Sequence, residues 1–380
     1  MKKFSFFAFF LVAMIGFGLY KNSEKIALWF AIQSSQPEWV KKQLTADFSP
    51  FKKVTQQDLD ATFEKAKHYQ VVRYRLIDGK IFRQGEAHLL DRTRQFEKML
   101  FRIQRSKKLP NLDCLICLGD GVPEAYVPHD FWITEHQAPL LAWAKKGDAP
   151  FVVLIPDILT TREASWHKEI EGINKKYRVT PWKKRKDMAF WRGASNDKGY
   201  TLENYATKPR YLISLLGKEH PHRINAGFCR IFPEEVEHIL QHLIVGYASV
   251  KEHLDFKYLP VLDGYMCTFP GFQWRLLSGS LTFKQSSDEM QYFYAALKPY
   301  EHYVPISHDM SDLLEKIAWA KEHDSQCHLI AERARAFAQE HLLPNQIYAY
   351  LYWVLDTYSR FQDFDLTVEP LGPEWQEQFR

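Results

Sequence analysis

The sequence is short of the signatures that announce a chemistry. Its five cysteines are an odd number scattered along a long chain, which excludes a disulfide framework. The fifteen histidines show no H-E-x-x-H or comparable ligand spacing, and neither a G-x-S-x-G elbow nor a Walker loop is present. A net charge of +4 is too small to call for a nucleic-acid partner. Internal repeats and low-complexity tracts are missing as well. What remains is an ordinary globular composition over 380 residues, too long for one comfortable core, so two domains are expected. Aromatic content is high at 15%. Aromatic faces suit sugar rings and bases, although filling cores accounts for most of them.

One long apolar run is there, at the N-terminus. Phe4 to Tyr20 carries no charge between Lys3 and Lys21 and is near the shortest length that spans a bilayer. Its exit, Phe17-Gly18-Leu19-Tyr20, is a poor small-x-small cleavage site, so residues 1–22 are expected to be a signal anchor rather than a cleaved signal peptide. The expectation is a membrane-associated protein with a single-pass N-terminal anchor. Lys2 and Lys3 balance Lys21 and Lys25, which leaves the side of the membrane open. The apolar stretch Ile26 to Ile32 suits a membrane surface.

Beyond the anchor, strand-like and helix-like segments alternate. Thr55 to Tyr69 reads as an amphipathic helix. VVRYRLIDGKIFR, residues 71–83, alternates on both sides of Asp78-Gly79, a strong hairpin signal. Ala87 to Arg105 reads as a helix. Leu112 to Leu118 and Phe151 to Ile155 read as buried strands, and so does Met188 to Trp191. Helices are expected over Arg210–Leu216, Glu234–Leu243, Phe272–Leu277, Met310–Glu322, Cys327–His341 and Tyr348–Phe361, and strands over Tyr258–Leu262 and Leu281–Phe283. This alternation predicts an α/β fold with largely parallel sheets. The basic string Trp182-Lys183-Lys184-Arg185-Lys186 is the best candidate for a boundary between domains.

Three segments offer chemistry. In LDCLICLGDGVP, residues 112–123, a buried strand delivers Asp120 between two glycines, at the end where open α/β sheets place ligands. Such a carboxylate serves as a general base or as a plain turn residue. In KDMAFWRGASND, residues 186–197, a strand ends in Arg192-Gly193. That pair is either an exposed turn or an anion site in which glycine lets the backbone approach a phosphate and arginine supplies charge. The third, Ser278-Gly279-Ser280, turns from helix to strand and either lines a cleft or merely connects. Cys114 and Cys117 fall on opposite faces of a strand, which argues against redox or zinc chemistry. The triplets Asp58-Leu59-Asp60 and Asp363-Phe364-Asp365 follow no apolar strand. A structural role suits both better than a cation bridging a nucleotide diphosphate.

These segments share an order with one family. Leu109-Pro110-x-x-Asp113 and Asp120 come first. Pro181-Trp182-Lys183-Lys184, Phe190-Trp191-Arg192-Gly193 and Lys257-Tyr258-Leu259 follow. Gly264, Leu276-Leu277-Ser278-Gly279-Ser280, Phe283 and Leu297-Lys298-Pro299-Tyr300-x-His302-Tyr303-Val304-Pro305 complete it. In this order the chain resembles glycosyltransferase family 90, from about His68 to Phe361. The family's members include Rumi-type protein O-glucosyltransferases, the capsule-associated xylosyltransferase and bacterial lipopolysaccharide-modifying relatives.

The resemblance implies a GT-B-like architecture, with two Rossmann-like domains and a cleft between them. The acceptor and catalytic-base half would occupy 23–180, the nucleotide-sugar half 181–345, and a C-terminal helix and tail, 346–380, would pack back toward the N-terminal domain. It implies an inverting transfer of glucose or xylose from a UDP-sugar, with no cofactor and no essential metal. The acceptor would be a hydroxyl of a surface glycan such as lipopolysaccharide. The alternatives are a Ser or Thr hydroxyl of a protein, or a glycan-binding protein on the same fold that no longer catalyses.

By motif position Asp120 matches the catalytic base and Arg192 a residue near the donor diphosphate. Gly193, Ser195 and Asn196 share the loop of Arg192, and Arg210 matches an arginine that the family keeps. Ser278, Gly279 and Ser280 join the expected donor-binding set. The family's Ser-x-Arg upstream of Leu276-Leu277 has no counterpart in register, and Arg275, one helical turn on, is the residue expected to replace it.

Overall fold

The computed structural model describes residues 23–85, 90–122, 135–147, 149–160, 163–197, 199–366 and 372–379. The anchor expected at residues 1–22 lies outside them. Among the described residues no helix is long and apolar enough to cross a membrane.

Two large sheets organise the chain. The first has six strands in the order 375–378, 80–84, 71–77, 112–117, 140–142, 152–154. Its left half is antiparallel, because Asp78 and Gly79 both adopt positive φ (50° and 83°) and close a tight hairpin between Val71–Ile77 and Lys80–Gln84. Val71–Ile77 also runs antiparallel to Leu112–Cys117. Only 112–117, 140–142 and 152–154 run parallel. This sheet is therefore mixed, where a largely parallel one was expected. A two-residue turn can only reverse the chain, whereas a parallel step needs a crossover. Every residue of Leu112–Cys117 is buried, as befits a strand covered on both faces.

The second sheet has five strands in the order 304–306, 281–285, 256–261, 186–194, 224–230, and all its pairings are parallel. The basic string at Trp182–Lys184 forms a short 3-10 turn that leads into it. Alternation along Lys186–Ala194 sends Phe190 and Trp191 into different cores. Phe190 stacks on Phe256 at 4.2 Å in the core shared with the first sheet. Trp191 packs against Phe228 in the other. The C-terminal helix Pro344–Phe361 returns to the first sheet and packs on Leu112–Cys117. Trp375–Gln378 then adds an edge strand to the hairpin.

Helix starts follow local chemistry. Thr55 caps Gln56–Ala66 in a reciprocal box with Asp58, and Pro209 opens Pro209–Glu219. The helix expected over Glu234–Leu243 is broken into a 3-10 turn, one α turn and another 3-10 turn.

Candidate active site

All strands of the second sheet deliver their C-terminal ends to one edge, which is where an open parallel sheet presents ligand-binding loops. Asp197, Asp263, Gln285 and His308 meet there around a cavity of about 110 Å³. That space suits a few waters and not a whole nucleotide sugar. Asp263 is saturated: Lys284 Nζ lies 3.3 Å away, Ser287 Oγ donates to its carboxylate, and its N–H donates to Gln285 Oε1 at 3.0 Å.

Arg210 rises from the first turn of Pro209–Glu219 into this edge. Its Nε donates to Asp263 O at 2.9 Å and its Nη1 to Ala194 O at 2.8 Å. Asn196 Oδ1 also accepts from Nη1. One guanidinium thus ties the ends of two strands together through neutral oxygens.

Arg275 sits nearby on the helix Gly271–Leu277, 4% exposed. Its Nη1 donates to Gly271 O, one turn earlier, at 3.0 Å, and its guanidinium lies over the Trp274 ring at 4.1 Å. The buried Nε has no hydrogen-bond partner. Burial, with the positive charge of Arg210 added to it, lowers Arg275 to about 9. Gly271 leaves the room it needs, since a Cβ there would stand 2.9 Å from Arg275 Nη1. The charge of Arg275 thus feels that of Arg210, and among the described residues neither guanidinium forms an ion pair with a carboxylate side chain. Such an arrangement favours an anion.

The rest of the expected donor loop has other attachments. Arg192 donates to Trp191 O and Asn225 O, both at 2.9 Å, and to Asn225 Oδ1 at 2.7 Å. It is fastened to the neighbouring strand, and burial lowers its pKa. Gly193 is explained by Trp191, whose ring would lie 2.4 Å from any added Cβ. Ser195 Oγ donates to Phe232 O and accepts from Phe232 N–H, clamping the loop after Ile224–Arg230. Of this group Asn196 alone reaches Arg210.

Ser278, Gly279 and Ser280 lie at the opposite edge of the sheet, because their turn enters the strand Leu281–Gln285 at its N-terminal end. Arg185 donates to Ser278 O and Ser280 Oγ there. Gly279, at φ +70°, faces the Tyr177 ring. The structure does not bring these three residues together with Arg210.

Asp120 stands beyond the C-terminal end of Leu112–Cys117 with 41% of its side chain exposed, 2.8 Å from Arg92 Nη2. Arg92 Nη1 also donates to Leu118 O at 2.9 Å. This cation fixes where the carboxylate points, and it escaped sequence reading because it comes from a separate helix. The next residue, Gly121, abuts the other half of the chain: a Cβ there would fall 2.9 Å from Met266 Cγ. Met266 belongs to the loop that follows Asp263, whose carbonyl holds Arg210. The Asp120 loop and the arginine pair thus border the same junction.

The two D-x-D triplets are engaged elsewhere. Asp58 caps its helix, Asp60 pairs with Arg73 at 2.6 Å, and Asp363 pairs with Lys53 at 2.7 Å. Cys114 and Cys117 are buried thiols, and burial holds Cys117 up at about 11.

Comparison with known proteins gives the same segments a family. Protein O-glucosyltransferase 3 of Mus musculus is 29% identical over 297 residues, covering 77% of this chain and 56% of that one. The Homo sapiens protein of that name is 26% identical, covering 84% and 61%. Protein O-glucosyltransferase 1 of Homo sapiens is 25% identical, covering 84% and 80%. The chain spans just over half the length of the first of these relatives. A solved structure of Anabaena HepE in complex with UDP and glucose aligns at TM-score 0.38 and 11% identity, over 61% of this chain and 66% of that one. That likeness is too slight to bear on the site. The model for glycosyl transferase family 90 matches residues 33–376, most of the chain, and the chain belongs to that family.

Proposed function

We propose that the chain is an inverting glucosyltransferase that moves a sugar from UDP-glucose to a hydroxyl group of a protein, within a GT-B-like cleft. The observation that carries this reading is the junction at Gly121 and Met266. On one side stands an exposed carboxylate, Asp120, held by Arg92; on the other stand Arg210 and Arg275, whose guanidinium groups form no ion pair with a carboxylate among the described residues. An inverting transfer requires that division of labour. Asp120 takes the proton of the acceptor hydroxyl as its oxygen attacks the anomeric carbon. The bond from that carbon to the UDP oxygen breaks, and the charge growing on the diphosphate falls to Arg210 and Arg275. Positive side chains supply the stabilisation, and the reading invokes no cofactor.

The names of the relatives favour a protein hydroxyl over the surface glycan expected from the sequence. Within the donor set Arg210, Arg275 and Asn196 take the diphosphate. Arg192, Gly193 and Ser195 shape the strand end that carries Asn196. The test is Asp120→Asn, assayed for transfer from UDP-glucose to a serine-containing acceptor domain and, by calorimetry, for UDP binding. Lost transfer with retained binding supports the assignment, and full activity removes Asp120 from the mechanism. A wild-type chain that fails to bind UDP would favour the lapsed glycan-binding alternative.

A further inference from the structure

The helix over residues 23–33 is apolar on more sides than the fold uses. Ile26 to Ile32 is an unbroken apolar run, and in a helix such a run supplies two opposite faces. One face is consumed by the protein. Leu28 and Ile32 are buried in the main core, Trp353 Nε1 donates to Ile32 O at 3.1 Å, and Arg102 donates to Glu24 at 3.0 Å. The other face stays outside: Ile26 is 50% exposed, Trp29 43% and Phe30 61%. The rings of Trp29 and Phe30 meet edge-on at 5.0 Å. These residues form one patch, and a contiguous apolar patch marks something that covers it.

The sequence indicates the covering. The uncharged run Phe4–Tyr20 ends directly before this helix, with Lys21 and Lys25 beside the junction. A segment of that length and polarity partitions into a bilayer and delivers whatever follows it to the headgroup layer. Tryptophan, phenylalanine and lysine are the residues that settle there.

We propose that the helix over residues 23–33 lies flat on a lipid surface, with Ile26, Trp29 and Phe30 in the headgroup layer and Leu28 and Ile32 fixing it to the body. The helix is packed into the core, so the membrane fixes the orientation of the whole molecule, cleft included. This inference does not depend on the transfer reaction.

The experiment uses the full chain. Cys229, which is half-buried while the other cysteines are buried, is replaced by Ser. A polarity-sensitive fluorophore is then placed at Phe30→Cys or, as a distant exposed control, at Glu219→Cys. Each protein is floated with vesicles of phosphatidylcholine and phosphatidylglycerol, with and without a quencher attached at headgroup depth. The expected result is a shift to shorter wavelength and loss of emission at position 30, with neither at 219. Flotation with position 30 unquenched would overturn the proposal, because the helix would then face water. Failure to float would overturn it too. A shift at position 30 that needs no lipid and grows with protein concentration would assign the face to a second copy of the chain, also overturning it.

Discussion

Replacing Arg275 by methionine should leave the stability of the unliganded protein nearly unchanged and make its hold on UDP weaker. The two outcomes have one cause. A guanidinium held at about 9 instead of 12.5 carries a cost of roughly 3–5 kcal/mol for being charged where it is. Below pH 9 the group is charged in both the folded and the unfolded chain, so the cost is fully present at pH 7. It fades only as pH rises from 9 toward 12.5. Against it stand the bond to Gly271 O, worth about 1.5–3 kcal/mol for a charged donor, and the contact with Trp274, worth about 2 kcal/mol when desolvated. Methionine keeps the length and much of the packing and drops the charge. The balance for the empty protein therefore lies between a loss of about 2 kcal/mol and a gain of about 1.5 kcal/mol, close to neutral as is common for buried charges replaced by apolar groups.

With a diphosphate bound as proposed, the balance tips against methionine, since the anion would supply what the unpartnered Nε lacks. Losing one buried partner of a charged pair costs about 2–5 kcal/mol, or roughly 30- to several-thousand-fold in UDP affinity. The assay is a thermal melt with and without saturating UDP, joined to titration calorimetry. The variant should melt near the wild type when empty and gain far less from UDP. A variant clearly destabilised when empty, with UDP affinity unchanged, would refute the reasoning and make Arg275 a structural residue.

Four further outcomes are expected. Asp120→Asn should lower transfer by about 10²–10⁴-fold and leave UDP affinity nearly unchanged, checked by initial rates and calorimetry. Arg210→Met should lose both stability and UDP binding, because the same guanidinium ties Asp263 O to Ala194 O; denaturant unfolding and titration read the two losses. Gly279→Ala forces a side chain into positive φ and to 2.6 Å from the Tyr177 ring. It should cost about 1–3 kcal/mol with UDP affinity intact, which separates that turn from the donor site. His253 is buried, with Phe190 and Trp274 around it, and burial and the charges of Arg275 and Arg192 lower it to about 3. Between pH 6.5 and 3 the unfolded chain binds the proton and the folded one does not, so stability falls as pH falls through that window. His253→Gln should flatten the slope in acid unfolding curves.

Much of the fold is legible in the sequence because its signals are local. Asp78-Gly79 announces its hairpin through the turn it requires, and the unbroken run Leu112–Cys117 announces a strand buried on both faces. Ile224–Arg230 carries no such mark. Its sequence, INAGFCR, mixes burial classes, and Gly227 is required by Val245 and by the carbonyl of Leu243 crossing over it, both distant in sequence. The edge strand Trp375–Gln378 is equally silent, since a hairpin placed far earlier in the chain creates it.

The arginines show where motif reading stops. Arg192 and Arg275 both follow a tryptophan, and Trp-Arg-Gly made Arg192 the more obvious phosphate ligand. Strand alternation gives it other partners. It places Arg192 on the same side as Phe190, over whose ring it lies at 4.4 Å, with the carbonyl and side chain of Asn225 within reach, and those acceptors occupy it. Arg275 has a single carbonyl, one turn back on its own helix, and a second cation for a neighbour. An arginine whose donors are consumed by the protein holds the protein together; one left short of acceptors and beside like charge is the one the proposed function assigns to an anion. The difference lies in the acceptors each side chain meets, and no run of residue names contains it.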